Sequence, residues 1–257
     1  ALAEDNAFIS GMGVDFRDYN NDGYPDITFV ALPAQTFPIF QNTGKGEFRE
    51  VTTPTGMRAL SRTMSGFGVG LYDFDNDGWK DVFVSGGHVE AHDRLTQPVN
   101  QWNTVFRNPG ANGQWQALTE PAGFDAAPKK RHRGCAFADF DGDGRIDVVT
   151  TALGAEAEVW MNQTQTSGHW LGIALVGTKS NRDGIGTRIK LVSKTVGAQY
   201  NHMTTSTGYA SSSNGPVHFG LGPDARADLI EIHWPSGRVQ ELKNVAADRI
   251  LKVTEPR

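Results

Sequence analysis

Residues 73–81 read DFDNDGWKD: carboxylates at Asp73, Asp75 and Asp77, a glycine at 78 and another carboxylate at Asp81. Alternate positions in a tight loop project oxygens toward one centre, and Gly78 permits the sharp turn that brings the next carbonyl, that of Trp79, inward. An all-oxygen set of this kind suits a hard cation such as Ca2+. Two carboxylates about 4 Å apart repel by around 4 kcal/mol at an effective dielectric of about 20, so the loop is strained without a cation.

The loop occurs three times. GVDFRDYNNDGYPDITFV (Gly13 to Val30), GVGLYDFDNDGWKDVFVS (Gly68 to Ser85) and GCAFADFDGDGRIDVVTT (Gly134 to Thr151) align without a gap through their centres. The ligand positions are Asp18, Asn20, Asp22, Asp26 with the carbonyl of Tyr24; Asp73, Asp75, Asp77, Asp81 with that of Trp79; and Asp139, Asp141, Asp143, Asp147 with that of Arg145. One such loop is an ordinary acidic turn, because Asp, Asn and Gly favour turns. Three in register argue for three Ca2+ sites. An EF-hand is excluded, since its twelfth position needs a bidentate Glu and here holds Phe29, Val84 or Thr150. Asn20 leaves the first loop one carboxylate short, which makes it the weakest site expected.

The elements that position these loops follow from the flanking residues. Period-2 alternation precedes each loop and a β-rich run follows it, describing two strands joined at the loop. FPIFQNTGKGEFREV (Phe37 to Val51) and NTVFRNPGANGQWQAL (Asn103 to Leu118) add a third strand, a Gly/Asn turn and a fourth; AEVWMNQ (Ala157 to Gln163) supplies a third strand to the last repeat, with no evident fourth. Four antiparallel strands per unit make a propeller blade. Cys135, in register with Val14 and Val69, reads as a small buried apolar group.

These repeats resemble the FG-GAP or VCBS calcium-loop repeats of integrin-type β-propellers, which implies the Ca2+ loops lie on one rim. From Gly168 onward the loop is absent. GHWLGIALVGTKSNRDGIGTRIKLV, STGYASSSNGPVHFGLG and ADLIEIHWPSGRVQELKNVAADRILKVTE are closely similar to the ASPIC and UnbV domain, an arrangement shared by bacterial members and the cartilage acidic proteins. The expected architecture is all-β: a partial, integrin-like propeller of three blades over residues 1–165, then a small antiparallel β-sandwich or barrel over residues 166–257. Short strands WLGIALV, RIKLV, VHFGLG, LIEIHW, RVQEL and ILKV separated by turns fit the second part. Three blades do not close a ring, since propellers use about four to eight. The remaining blades are expected from a longer chain or from a second subunit.

Composition limits the alternatives. The chain has 257 residues, 24 Lys and Arg against 29 Asp and Glu, and a net charge of −5 with no basic stripe, which argues against a nucleic-acid partner. No apolar run reaches the roughly 18 residues of a membrane span. A lone cysteine excludes an internal disulfide. No GxSxG, Walker loop, HExxH or zinc-type cysteine pair is present. GGHVEAHD, with His88, Glu90, His92 and Asp93, is the best remaining cluster for a transition metal, though His88 reads first as a structural histidine. KKRHRG around His132 reads as a solvated loop, SNRDGIG as a turn, and His169, Trp170, His233 and Trp234 as packing groups. Two functional classes result: a calcium-stabilised extracellular or periplasmic module that binds a protein or other extracellular ligand, which is preferred, or a cyclase or isomerase-type enzyme with a site near the blade rim or the domain junction.

Overall fold

The computed structural model describes residues 8–89, 98–111, 113–165 and 168–257. Each acidic repeat folds as a meander in chain order. The first sheet comprises β1 (Val14–Arg17), β2 (Asp26–Phe29), β3 (Ile39–Asn42) and β4 (Phe48–Glu50). A short helix, α1 (Met57–Ser61), leads to the second: β5 (Gly66–Tyr72), β6 (Asp81–Gly86), β7 (Thr104–Arg107) and β8 (Gln116–Ala117). The third has three strands, β9 (His132–Ala138), β10 (Asp147–Ala152) and β11 (Ala155–Trp160). Among the described residues no fourth strand joins this sheet, so β11 is an edge.

The first strands β1, β5 and β9 stand side by side, so the sheets stack face to face in a propeller-like way. Val30, Phe37, Val69, Leu71, Val84 and Phe106 fill the space between the first two sheets, and Phe83, Cys135, Phe137 and Val148 the space between the second and third. Cys135 is buried, and burial pushes its thiol up to about 12.

The expectation of three blades is corrected by the C-terminal residues, which add two further sheets to give five of three or four strands. One joins β17 (Val217–Gly222), β12 (His169–Val176) and β20 (Arg249–Thr254); the other orders β14 (Gly197–His202), β13 (Arg188–Ser193), β18 (Arg226–His233) and β19 (Val239–Ala246). Strands β12 and β20 pair in parallel, contrary to the all-antiparallel expectation: residue alternation fixes which face is buried but not strand direction. Leu171, Ile173, Ile189, Leu191, Phe219, Ile230, Ile232 and Trp234 from both sheets share one core.

A small hairpin, β15 (Ser206–Thr207) and β16 (Ser211–Ser212), leaves this region and lies against β1, β5 and β9. Gly208 N–H donates to the Val69 carbonyl at 3.2 Å, Phe137 N–H donates to Ser213 Oγ at 3.0 Å, and the Tyr209 ring meets Phe67 edge-on. The stretch around His132 is corrected as well. His132 is 2% exposed on β9; its ring nitrogens lie 2.8 Å from the Gly86 carbonyl and 2.8 Å from Glu158, which Lys130 also pairs.

Candidate metal centre

Each acidic loop spans the gap between the first two strands of its sheet, leaving β1, β5 or β9 and entering β2, β6 or β10. The three share one wiring. The loop's first Asp accepts the glycine N–H: Asp18 from Gly23 at 2.7 Å, Asp73 from Gly78 at 2.7 Å, Asp139 from Gly144 at 2.9 Å. The Asp preceding each glycine accepts the N–H two residues on: Asp22 from Tyr24, Asp77 from Trp79 and Asp143 from Arg145, each at 2.9 Å. The glycines take φ of 92°, 95° and 86°, a region side-chain-bearing residues avoid.

The last Asp of each loop is a staple. Asp26 accepts from Tyr19 and Asn42 N–H, Asp81 from Phe74 and Asn108, and Asp147 from Phe140 and Asn162. Those asparagines, one at the end of each third strand, were missed from sequence, although IFQN, VFRN and VWMN carry them in register. Asn108 Nδ2 also reaches back to the Tyr19 carbonyl at 2.9 Å and Asn162 Nδ2 to the Phe74 carbonyl at 2.7 Å, each tying one loop to the loop of the preceding sheet.

Among the described residues two carboxylate groups converge: Asp73, Asp75 and Asp81, and Asp139, Asp141 and Asp147, each offering oxygens within 4.8 Å of one another. Asp77 and Asp143 instead turn to an arginine, Arg107 and Arg145 respectively. In the first loop Asn20 Nδ2 donates to Asp22, and Asp18 and Asp26 are buried against backbone donors. Convergence is costly. Burial, then the charges of Asp77 and Asp75, holds the Asp73 carboxyl well above its usual range; burial, then Asp75 and Asp73, does the same to Asp81. Burial pushes Asp26 up to about 7, and burial with the Asp75 charge pushes Asp77 up to about 6. A divalent cation fits this arrangement on one observation above all: Asp75 Oδ1 is buried and has no hydrogen-bond partner.

The C-terminal sheets sit on these loops. Tyr200 covers Gly23, Val196 covers Gly78 and Trp170 covers Gly144. Lys80, 5% exposed, donates to the carbonyls of Asp18 at 2.8 Å and Tyr200 at 2.9 Å, and His218 Nε2 donates to the Gly144 carbonyl at 3.0 Å. Between them is a cavity of about 190 Å³, lined by Arg17, Tyr72, Trp170, Asn201, His202 and His218 among others. Arg17 is spread over Asp15, Asn201 and the Tyr72 hydroxyl. Burial lowers His218 to about 4, and burial with the Arg17 charge lowers His202 to about 4.

Residues 18–84 match the FG-GAP-like repeat family and residues 177–257 match the ASPIC and UnbV family. The chain carries an FG-GAP-like repeat and an ASPIC/UnbV domain. It is 28% identical over 251 residues to cartilage acidic protein 1 of Xenopus tropicalis, covering 91% of this chain and 35% of that protein. To the Homo sapiens protein of the same name it is 26% identical over 267 residues, covering 98% and 37%. The chain therefore spans little more than a third of these curated relatives. Among the described residues no helix is long and apolar enough to cross a membrane. His88 lies buried, its N–H donating to the Val99 carbonyl and its own carbonyl accepting from Arg133; Glu90, His92 and Asp93 lie outside the described residues.

Proposed function

We propose that this FG-GAP and ASPIC/UnbV chain is a calcium-stabilised extracellular interaction module, with one Ca2+ in each of the three loops. The orphaned Asp75 Oδ1 among converging, buried carboxylates carries the reading. Asp18, Asn20, Asp22, Asp26 and the Tyr24 carbonyl would hold the first ion; Asp73, Asp75, Asp77, Asp81 and the Trp79 carbonyl the second; Asp139, Asp141, Asp143, Asp147 and the Arg145 carbonyl the third. When bound, the ions supply charge neutralisation and fix the rim on which the C-terminal sheets rest. Millimolar Ca2+ outside cells fills even sites of about 10⁻⁴ M.

The division at residues 1–165 and 166–257, with the second part a β-sandwich, is supported by a core drawn wholly from residues 171–253. Further blades, from a longer chain or a second subunit, are the first partners. Exposed Val14 and Phe16 on β1, and Val159 on β11 with Met161 beyond it, leave apolar surface at both ends of the stack. Isothermal titration with Ca2+, and thermal unfolding with and without chelator, test the reading. At ten times its dissociation constant each ion adds about 1.4 kcal/mol of stability. A melting temperature unmoved by chelator would sink it.

The junction cavity favours a second reading, a cyclase or isomerase acting through shape on a small molecule. Against it, His218 Nε2 is committed to the Gly144 carbonyl. Protection of the junction from proteolysis by a small-molecule substrate would support it.

A further inference from the structure

We propose that Arg107 and Arg145 are built-in counter-charges that lower the cation affinity of the second and third loops to match the first; this rests on the calcium reading above. The first loop has three carboxylates, Asp18, Asp22 and Asp26, while the other two have four. Each four-carboxylate loop carries one guanidinium. Arg107 Nε lies 2.8 Å from Asp75 Oδ2 and its Nη2 3.4 Å from Asp77 Oδ2; Arg145 Nη2 pairs with Asp143 Oδ2.

The two arginines reach their loops by different routes. Arg107 comes from the end of β7, where the residue in register is Gln41 in the first sheet and Met161 in the third. Arg145 comes from the third loop itself, held by its Nε on the Asn162 carbonyl. In the first loop the Asn20 amide stands on Asp22 Oδ2 at 3.0 Å, and Gln41 is engaged by Arg49. Counted over these carboxylates and guanidinium groups, every loop presents three net negative charges, although their sequences differ. Lys80, a further cation, binds the main-chain carbonyls of Asp18 and Tyr200, and its charge acts on Asp18 foremost and then on Asp73 and Asp26, so the first and second loops share it.

Guanidinium and metal need not exclude one another. Asp75 gives Oδ2 to Arg107 and keeps Oδ1 buried without a partner, so the two cations hold opposite oxygens of one carboxylate. At solvent-like dielectric a unit charge about 6 Å from a divalent ion weakens its binding by about tenfold, falling to about threefold at physiological ionic strength. Without metal the same guanidinium relieves the carboxylate repulsion.

The test is isothermal titration of the whole chain with Ca2+, together with Tb3+ emission sensitised by Trp79 beside the second loop. Arg107→Gln is expected to bind about three- to tenfold more tightly at the second loop, the gain shrinking with salt, and to melt lower without metal. Arg107→Lys, which keeps the charge, is expected to bind as wild type. Gln41→Arg, at a half-buried position, carries the device to the first loop and is expected to weaken that site, which keeps the test alive if Arg107→Gln fails to fold. Unchanged or weaker binding by Arg107→Gln, or an unaffected first site in Gln41→Arg, overturns the proposal while leaving the calcium reading intact. Wild type that binds neither ion overturns both.

Discussion

Asn76 of the second loop donates its side-chain amide to the main-chain oxygen of Gly144 in the third, at 3.2 Å. Asn21 makes the same bond to Gly78 at 2.9 Å, one repeat earlier. Each of the first two loops therefore hangs on the glycine turn of the next. Asn76 sits at φ 57°, a left-handed position Asn tolerates and Ala does not. Asn76→Ala is expected to cost about 2–3 kcal/mol in urea unfolding, combining backbone strain with loss of a buried hydrogen bond. Asn76→Gly keeps the backbone and loses only the amide, so it should cost less; a Gly variant as stable as wild type would show that the bond to Gly144 contributes nothing.

The asparagines at the ends of the third strands are unequal in a way that permits a test. Asn108 Nδ2 donates both to the Lys80 carbonyl in its own sheet and to the Tyr19 carbonyl in the preceding one, whereas Asn42 Nδ2 donates to the Pro25 carbonyl alone. Asn108 is buried and Asn42 half-buried. Asn108→Ala is expected to destabilise by about 2–3 kcal/mol and Asn42→Ala by about 1 kcal/mol. Denaturation midpoints at matched m-values would check the ranking.

The acidic loops and the meanders around them were legible because their signals are local: alternating carboxylates, a glycine, and β-rich flanks within 18 residues. What was not legible is what crosses the chain. Val14 stands in register with Cys135, read as buried, yet on β1 Asp15 and Arg17 are buried and Val14 and Phe16 are exposed. Arg17 is drawn in by Asn201 and Tyr72, partners 184 and 55 residues away that no periodicity reveals. Strands β15 and β16 were missed because they consist of Ser and Thr, which read as turn, and β14 because GAQYNH holds a single large apolar side chain and shows no apolar alternation. Arg107 was overlooked because it belongs to a strand, and only the fold brings it to Asp75.

Glu255 shows how the chain's end is held. Its Oε2 accepts the N–H groups of Thr178, Lys179 and Ser180 at 2.7, 2.8 and 2.8 Å, and Oε1 accepts the hydroxyls of Ser180 and Ser236. Burial alone would raise its pKa, but these donors, Ser236 foremost, bring it well below the usual value. A depressed carboxylate contributes stability above its unfolded pKa of about 4.5 and loses it as pH falls through the folded value. Glu255→Gln is therefore expected to melt below wild type at pH 7, with the gap narrowing as pH drops below about 4.5. A gap independent of pH would show that the charge plays no part.

The docking of the C-terminal sheets on the loop rim can be separated from loop conformation by two glycines of the third loop. Gly142 and Gly144 have φ of 79° and 86°, so a side chain at either meets the same backbone penalty. Their surroundings differ. A β-carbon on Gly142 would meet nothing within 4 Å, while one on Gly144 would lie 1.9 Å from Trp170 Nε1. Gly142→Ala is expected to cost about 1 kcal/mol from strain alone. Gly144→Ala adds displacement of the indole, about 1–3 kcal/mol more. Because Trp170 must move, its fluorescence should also shift in Gly144→Ala and not in Gly142→Ala. A shared Trp170 spectrum with equal stability losses would mean that the C-terminal sheets do not rest on this loop in solution.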